Sequence, residues 1–124
     1  MKRFLMGFMN WLAKRNIKGI VKSQASKFKK TKKINPNISD AIIINKIFES
    51  RFDRKLLRAT KGEKERITEY IKKNDIPKSL FDLCLAIGEI EFAPRDMEQY
   101  FYIHDIMLNE LERLGYKVEP QDIS

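Results

Sequence analysis

The segment from Ser79 to Phe92, S-L-F-D-L-C-L-A-I-G-E-I-E-F, is mostly apolar and limits most strongly how the chain folds. A run of this length fits either a buried strand or a buried helix. The flanking residues favour a helix, because Pro77 precedes the run, Ser79 is a preferred N-cap residue, and Asp82 follows as in a capping box. On a helical projection Asp82 and Glu89 share one narrow polar strip, and most of the remaining circumference is apolar. We therefore expect a central helix at about 79–92 that its neighbours cover on most sides.

Apolar residues recur at helical spacing in most of the remaining chain. A wide apolar face at 41–52 predicts a helix that ends near Ser50, and 63–73 has the pattern of a surface helix. We therefore predict an all-α protein, a compact bundle of five or six helices with a long C-terminal helix at about 95–114. The last helix is expected to face the core or a partner with a stripe made of Met97, Tyr100, Phe101, Ile103, His104, Met107, Leu108, Leu111 and Leu114.

The first part of the chain has an amphipathic pattern that changes direction. The apolar residues from Ile17 onward centre about 130° away from those of residues 1–13 if one straight helix is assumed. We expect either a bend near residues 16–19 or two helices that meet there. The lysine-rich segment 27–33 is expected to fray into a linker.

Charge is distributed unevenly along the chain. The formal net charge is +8, yet residues 1–33 carry eleven Lys or Arg and no acid, whereas residues 75–124 carry four bases and eleven acids. We predict two parts, a basic amphipathic N-terminal helical arm at 1–33 and a helical body at 34–124. Such an arm requires an anionic partner, and the acidic half of the same chain or of another copy is one candidate.

These features predict a small non-catalytic interaction module whose arm docks on a partner protein or on another copy of itself. One alternative is peripheral attachment to anionic membrane surfaces, because aromatic residues beside cations are typical of interfacial helices. Another is nonspecific nucleic-acid binding. Base reading by a helix-turn-helix is excluded, since the second helix would be apolar and acidic. The arm residues expected to make the contacts are Phe4, Phe8, Trp11, Lys14, Arg15, Lys18, Lys22, Lys29 and Lys30.

A second candidate interface lies on the C-terminal helix. Tyr102 and Ile106 sit one turn apart, on the side opposite the predicted stripe and among polar residues. They would form an exposed apolar spot on a monomer. Together with the arm, this spot favours a homo-oligomer over a monomer.

Few residues of the sequence point to chemistry. Cys84 and His104, the single cysteine and the single histidine, both fall on apolar faces, where packing is the simplest interpretation. No metal-binding motif and no glycine-rich phosphate loop occurs, so we predict no enzyme, no cofactor, no metal site and no small-molecule substrate. Glu91 breaks the apolar pattern of its helix. It either faces water after the helix has ended or forms a buried polar cluster with Arg51, His104 or Arg95.

The sequence also bears on location. The apolar N-terminal residues resemble a secretory signal superficially, but Gly7 and Asn10 interrupt them and Lys14 and Arg15 stand where a cleavage site belongs. No stretch approaches the roughly 18–20 apolar residues of a spanning helix. One cysteine inside an apolar run fits a reducing compartment. We therefore expect a cytoplasmic protein, with membrane association as the alternative.

Overall fold

The computed structural model describes the backbone of residues 2–73, 79–92 and 94–118, and the side chains of these residues apart from 2–10 and 55. This part of the chain forms five helices and no strand. The helices are α1 (Lys2–Ile34), α2 (Asp40–Arg58), α3 (Lys61–Lys73), α4 (Leu80–Phe92) and α5 (Met97–Arg113). The predicted all-α bundle is therefore confirmed, including its central and C-terminal helices.

Helix α4 lies at the centre of the hydrophobic core. Every residue from Leu80 to Gly88 is buried except Asp82. The helix packs against α1, α2 and α5, which supply nearly all of the other core side chains. Only Ile67 of α3 is buried, so α3 covers one side of the bundle. A short helix with so little polar surface is stable only when its neighbours keep water away from it.

Capping residues fix the start of α4 and both ends of α5. The Ser79 hydroxyl accepts a hydrogen bond from the Asp82 backbone N–H at 3.1 Å. Helix α5 starts two residues later than expected, because the Asp96 carboxylate accepts from the Gln99 N–H at 2.8 Å. Gly115 ends this helix with a φ of 92°, a conformation that favours glycine.

Helix α1 is one continuous helix of 33 residues, so the alternative in which two helices meet near residues 16–19 is wrong. The prediction that 27–33 forms a linker is wrong as well. Phe28 packs edge-on against Tyr116 with ring centroids 6.3 Å apart, and Lys32 pairs with Asp40. Lysine also has a good intrinsic helix propensity, so a run of positive charge does not end a helix whose side chains make these two tertiary contacts.

The second half of α1 belongs to the core of the bundle. The division of the chain into an arm at 1–33 and a body at 34–124 stays a prediction. The predicted arm is not separate from the core over its whole length, however. The α1 residues that are buried are Ile17, Ile20, Val21, Gln24 and Ala25.

Helix α2 continues two turns beyond the predicted end at Ser50, to Arg58. Phe52 supports this continuation, because its ring stacks on that of Phe48 at 6.5 Å between centroids. Arg51 therefore lies inside the helix and faces α4, where it meets Glu91.

Candidate interaction surfaces

Residues 11–16 of α1 include apolar side chains that the core does not bury. No described side chain before Ile17 is buried, and Trp11 is 54% exposed. The Arg15 guanidinium lies 5.6 Å from the centroid of the Trp11 ring, within range of a cation–π contact. Leu12 is exposed beside them. Phe4 and Phe8 lie outside the described side chains.

The cations of the predicted arm lie on the surface of α1. Two of them already face an acid of the same chain, because Lys18 and Lys22 help to lower the pKa of Glu110 on α5. Part of the positive charge of α1 is therefore balanced within the monomer. The cations predicted to make contacts are all exposed; they are Lys14, Arg15, Lys18, Lys22, Lys29 and Lys30.

Glu110 is a buried carboxylate that sequence reasoning missed. Its two oxygens accept hydrogen bonds from the guanidinium of Arg113, one of them at 3.1 Å. This pairing holds the pKa of Glu110 below its ordinary value, against the opposing effect of burial. Glu110 lies four residues after Ile106 and three after Met107, so the signal was present in the spacing once those two residues are placed in the core.

Glutamine at position 110 is expected to remove a pH-dependent part of the stability. Because the pKa of Glu110 is lowered on folding, its ionised form stabilises the fold above about pH 4.5. This contribution disappears as the pH falls below that value through the folded-state pKa. Chemical denaturation should therefore show Glu110→Gln less stable than the parent at pH 7, with a smaller gap at pH 3. Glu112→Gln, at an exposed site two residues away, is the control; an equal pH response in both variants would contradict the assignment.

The solvent-facing side of α5 differs from the prediction. Met97 and Phe101, which belong to the stripe expected to face the core or a partner, are 64% and 53% exposed, while Ile106, expected on the surface, is 7% exposed. The candidate spot of Tyr102 and Ile106 is therefore wrong as an exposed pair, although Tyr102 is partly exposed. Helix α5 packs against both α1 and α4. This double contact sets the rotation of the helix, so that its buried face contains Ile103, Ile106 and Met107.

This rotation leaves a mixed apolar and acidic surface along α5. On a helical projection its three apolar residues fall within about 40° of one another, and three exposed acids continue the same surface over roughly the next 60°. Acids that adjoin apolar side chains in this way form a surface suited to a basic amphipathic partner. We call this surface the α5 outer stripe; it consists of Met97, Phe101, Leu108, Glu98, Asp105 and Glu112.

Two of the three residues in the predicted polar cluster come together. Arg51 Nη2 lies 2.8 Å from Glu91 Oε1, and about a quarter of each side chain is exposed. His104 is held elsewhere, because its ring packs edge-on against Phe81 with centroids 4.8 Å apart. Its Nδ1 is 3.7 Å from Asp105. Glu91 on α4 is therefore paired with Arg51 on α2, as in the second of the two alternatives predicted for Glu91.

The remaining reactive groups have structural contacts. Cys84 is buried, and this burial raises the pKa of its thiol to about 12, so the thiol stays protonated and is a poor nucleophile. The Tyr70 hydroxyl donates to Glu89 at 2.7 Å, which links α3 to α4. Within residues 2–73, 79–92 and 94–118, no three His, Cys, Asp or Glu side chains are grouped as a metal site requires.

Comparison with known proteins does not assign this chain to a family. No family model matches it, and searches of curated proteins and of solved structures find no match. What the surfaces bind must therefore follow from their own chemistry. In the part of the chain that the structure describes, no helix has the length and apolar character needed to cross a membrane.

Proposed function

We propose that this protein is a self-associating helical module. The N-terminal half of α1 in one copy docks on the α5 outer stripe of a second copy. The observation that carries this proposal is the mismatch between the length of α1 and its use in the core. A helix of 33 residues is about 50 Å long, roughly twice the length of α5, yet the described side chains buried from α1 begin only at Ile17.

The two surfaces are complementary in charge and in polarity. Residues 11–15 of α1, here called the α1 segment, combine exposed Trp11 and Leu12 with Lys14 and Arg15. The α5 outer stripe combines exposed Met97 and Phe101 and partly buried Leu108 with three exposed acids. Tryptophan and arginine are among the residues that most often dominate protein interfaces. Tryptophan buries a large apolar area, and the arginine guanidinium binds carboxylates well. The opposite charges favour this pairing and disfavour contact of each surface with itself.

A reciprocal exchange gives a closed dimer. If the α1 segment of each copy lies on the α5 outer stripe of the other, both contacts are satisfied by one two-fold axis. The second half of α1 stays in the core of its own copy, so the monomer keeps its fold when the dimer separates. Assembly is therefore expected to depend on protein concentration and on salt, because it contains exposed ion pairs.

Charge exchange tests this pairing in the full chain. Lys14→Glu with Arg15→Glu should weaken the dimer at least about tenfold, and Asp105→Lys with Glu112→Lys should do the same, because each change places like charges opposite one another. The four substitutions together restore opposite charges and should restore the dimer. Sedimentation equilibrium at low and high salt measures each dissociation constant.

The matched control is Lys46→Glu with Lys64→Glu, which changes the net charge equally at exposed sites outside both surfaces. It should leave the dissociation constant within about twofold of the parent, since only charges near the contact have strong effects. A parent protein that stays monomeric at high micromolar concentration in both salts would contradict the proposal. So would a fourfold variant that fails to regain the dimer.

The exposed Trp11 beside Arg15 also supports a second candidate, attachment to anionic membrane surfaces. Co-sedimentation with phosphatidylserine vesicles separates the two functions. Membrane attachment predicts that vesicle binding requires anionic lipid and is lost after Trp11→Ser. It also predicts that Asp105→Lys with Glu112→Lys leaves vesicle binding unchanged. Nonspecific nucleic-acid binding would instead show a steep fall in affinity with salt.

A further inference from the structure

Three arginines lie on one side of α2 and line a cleft. Arg51, Arg54 and Arg58 occupy positions i, i+3 and i+7, which fall within about 60° on a helical projection. The cleft that they line has a volume of ≈ 370 Å³, and its other lining residues are Ala59, Glu63 and Glu91. This volume is within the range of about 300–1,000 Å³ that is usual for sites of small ligands.

A fourth cation comes from α1. Lys27 lies close enough to the arginines that its pKa is lowered, first by partial burial and then by repulsion from Arg54 and Arg51. The three arginines and the two carboxylates that line the cleft, Glu63 and Glu91, leave a net charge of +1, and Lys27 adds positive charge close to the arginines. Cations held together in this way repel one another, and a bound anion relieves the repulsion.

The arrangement is partly organised before any ligand binds. Glu91 holds Arg51 by an ion pair at 2.8 Å, and packing in this part of the chain keeps Arg51 three-quarters buried. Its Nε–H is also buried and has no hydrogen-bond acceptor among the described residues. Arg54 and Arg58 are exposed at the rim, where their guanidinium groups are accessible to solvent. The first and the last arginine are seven positions apart on the helix, which corresponds to a rise of about 10 Å.

We propose that this cleft binds a small ligand that carries two or more linked phosphate groups. One guanidinium group can donate two parallel hydrogen bonds to the oxygens of one phosphate. Several guanidinium groups along one helix face therefore fit a ligand with several phosphates better than a ligand with a single carboxylate. Sequence reasoning predicted no small-molecule substrate, and the inferred ligand is bound rather than transformed. The site shares no residue with the proposed dimer contact, so either can fail without the other.

Titration with inorganic tripolyphosphate tests the site in the full chain. Calorimetry at constant ionic strength should show saturable binding to the parent. Arg54→Gln with Arg58→Gln removes two exposed guanidinium groups and should weaken binding at least about tenfold, since hydrogen bonds between charged groups contribute strongly. Lys46→Gln with Lys64→Gln removes the same charge from exposed residues that do not line the cleft, and should change the affinity less than about twofold, because exposed charges without a direct contact to the ligand are screened.

Vesicles that contain phosphatidylinositol bisphosphate distinguish a lipid headgroup from a soluble ligand. Binding of either probe that requires Arg54 and Arg58 supports the site and identifies the source of the phosphates. An equal loss in the Arg54/Arg58 and Lys46/Lys64 variants would overturn the proposal, because it would show nonspecific attraction to a basic surface. Absence of binding of both probes at millimolar concentration would overturn it as well.

Discussion

Replacing Leu83 with alanine is expected to lower the free energy of unfolding by about 2–5 kcal/mol. Leu83 is 0% exposed in the middle of α4, where α1, α2 and α5 all pack. The substitution removes buried methyl groups and leaves a cavity that the surrounding helices fill only in part. Urea denaturation measures the change through the transition midpoint, provided that the slope stays constant.

Leu57→Ala is the matched control for this substitution. Leu57 lies on α2 and is 84% exposed, so the same chemical change should alter the free energy of unfolding by no more than about 0.5 kcal/mol. Leu83→Met keeps the volume of the side chain and should cost less than about 1.5 kcal/mol, which separates the loss of packing from a general intolerance of substitution. Similar effects of Leu83→Ala and Leu57→Ala would show that α4 is not the covered centre of the bundle.

Replacing Gln24 with methionine is expected to raise the free energy of unfolding by about 1–3 kcal/mol. Gln24 is fully buried in α1, and neither its amide nitrogen nor its amide oxygen has a hydrogen-bond partner among the described residues. Burial of an amide without such partners is unfavourable by about this amount. Methionine has a similar length and flexibility and no strongly polar group, so it fills the same space without the desolvation penalty.

Thermal and urea denaturation should both report the stabilisation. Ser26→Met, at an exposed site two residues away on the same helix, gains helix propensity but buries little area, and is expected to stay within about 0.5 kcal/mol of the parent. A Gln24→Met protein that is less stable than the parent would show that the amide is hydrogen-bonded in solution. The expected gain would then be replaced by the loss of those bonds.

Local patterns predicted the central helix correctly because its signals do not depend on distant residues. An apolar run, a serine that caps its start and a proline before it all act within one or two helical turns. The same holds for the end of α5 at Gly115, whose positive φ follows from a local hydrogen-bonding pattern. The capping and periodicity of α4 were therefore enough to define it.

Local patterns failed where one helix contacts two neighbours. The sequence of α5 offers apolar residues over more than half of its circumference, and which of them are buried depends on the positions of α1 and α4. The structure buries Ile106 and Glu110 and exposes Met97 and Phe101. The apolar part of the surface in the proposed dimer contact therefore belongs to a stripe that periodicity assigned either to the core or to a partner, and spacing alone did not choose between the two.

Composition and spacing along the chain are sufficient to predict the helical class, the central place of residues 79–92 and the concentration of positive charge near the N-terminus. Three features emerge only when the helices are packed together: α1 is continuous, α5 presents an apolar and acidic face to solvent, and Arg51 pairs with Glu91 while Lys27 lies close to the arginines of α2. These features need the packed bundle because burial and ion pairing are properties of two or more elements together. Their relative rotation is selected by the packing of the whole core and not by any one helix.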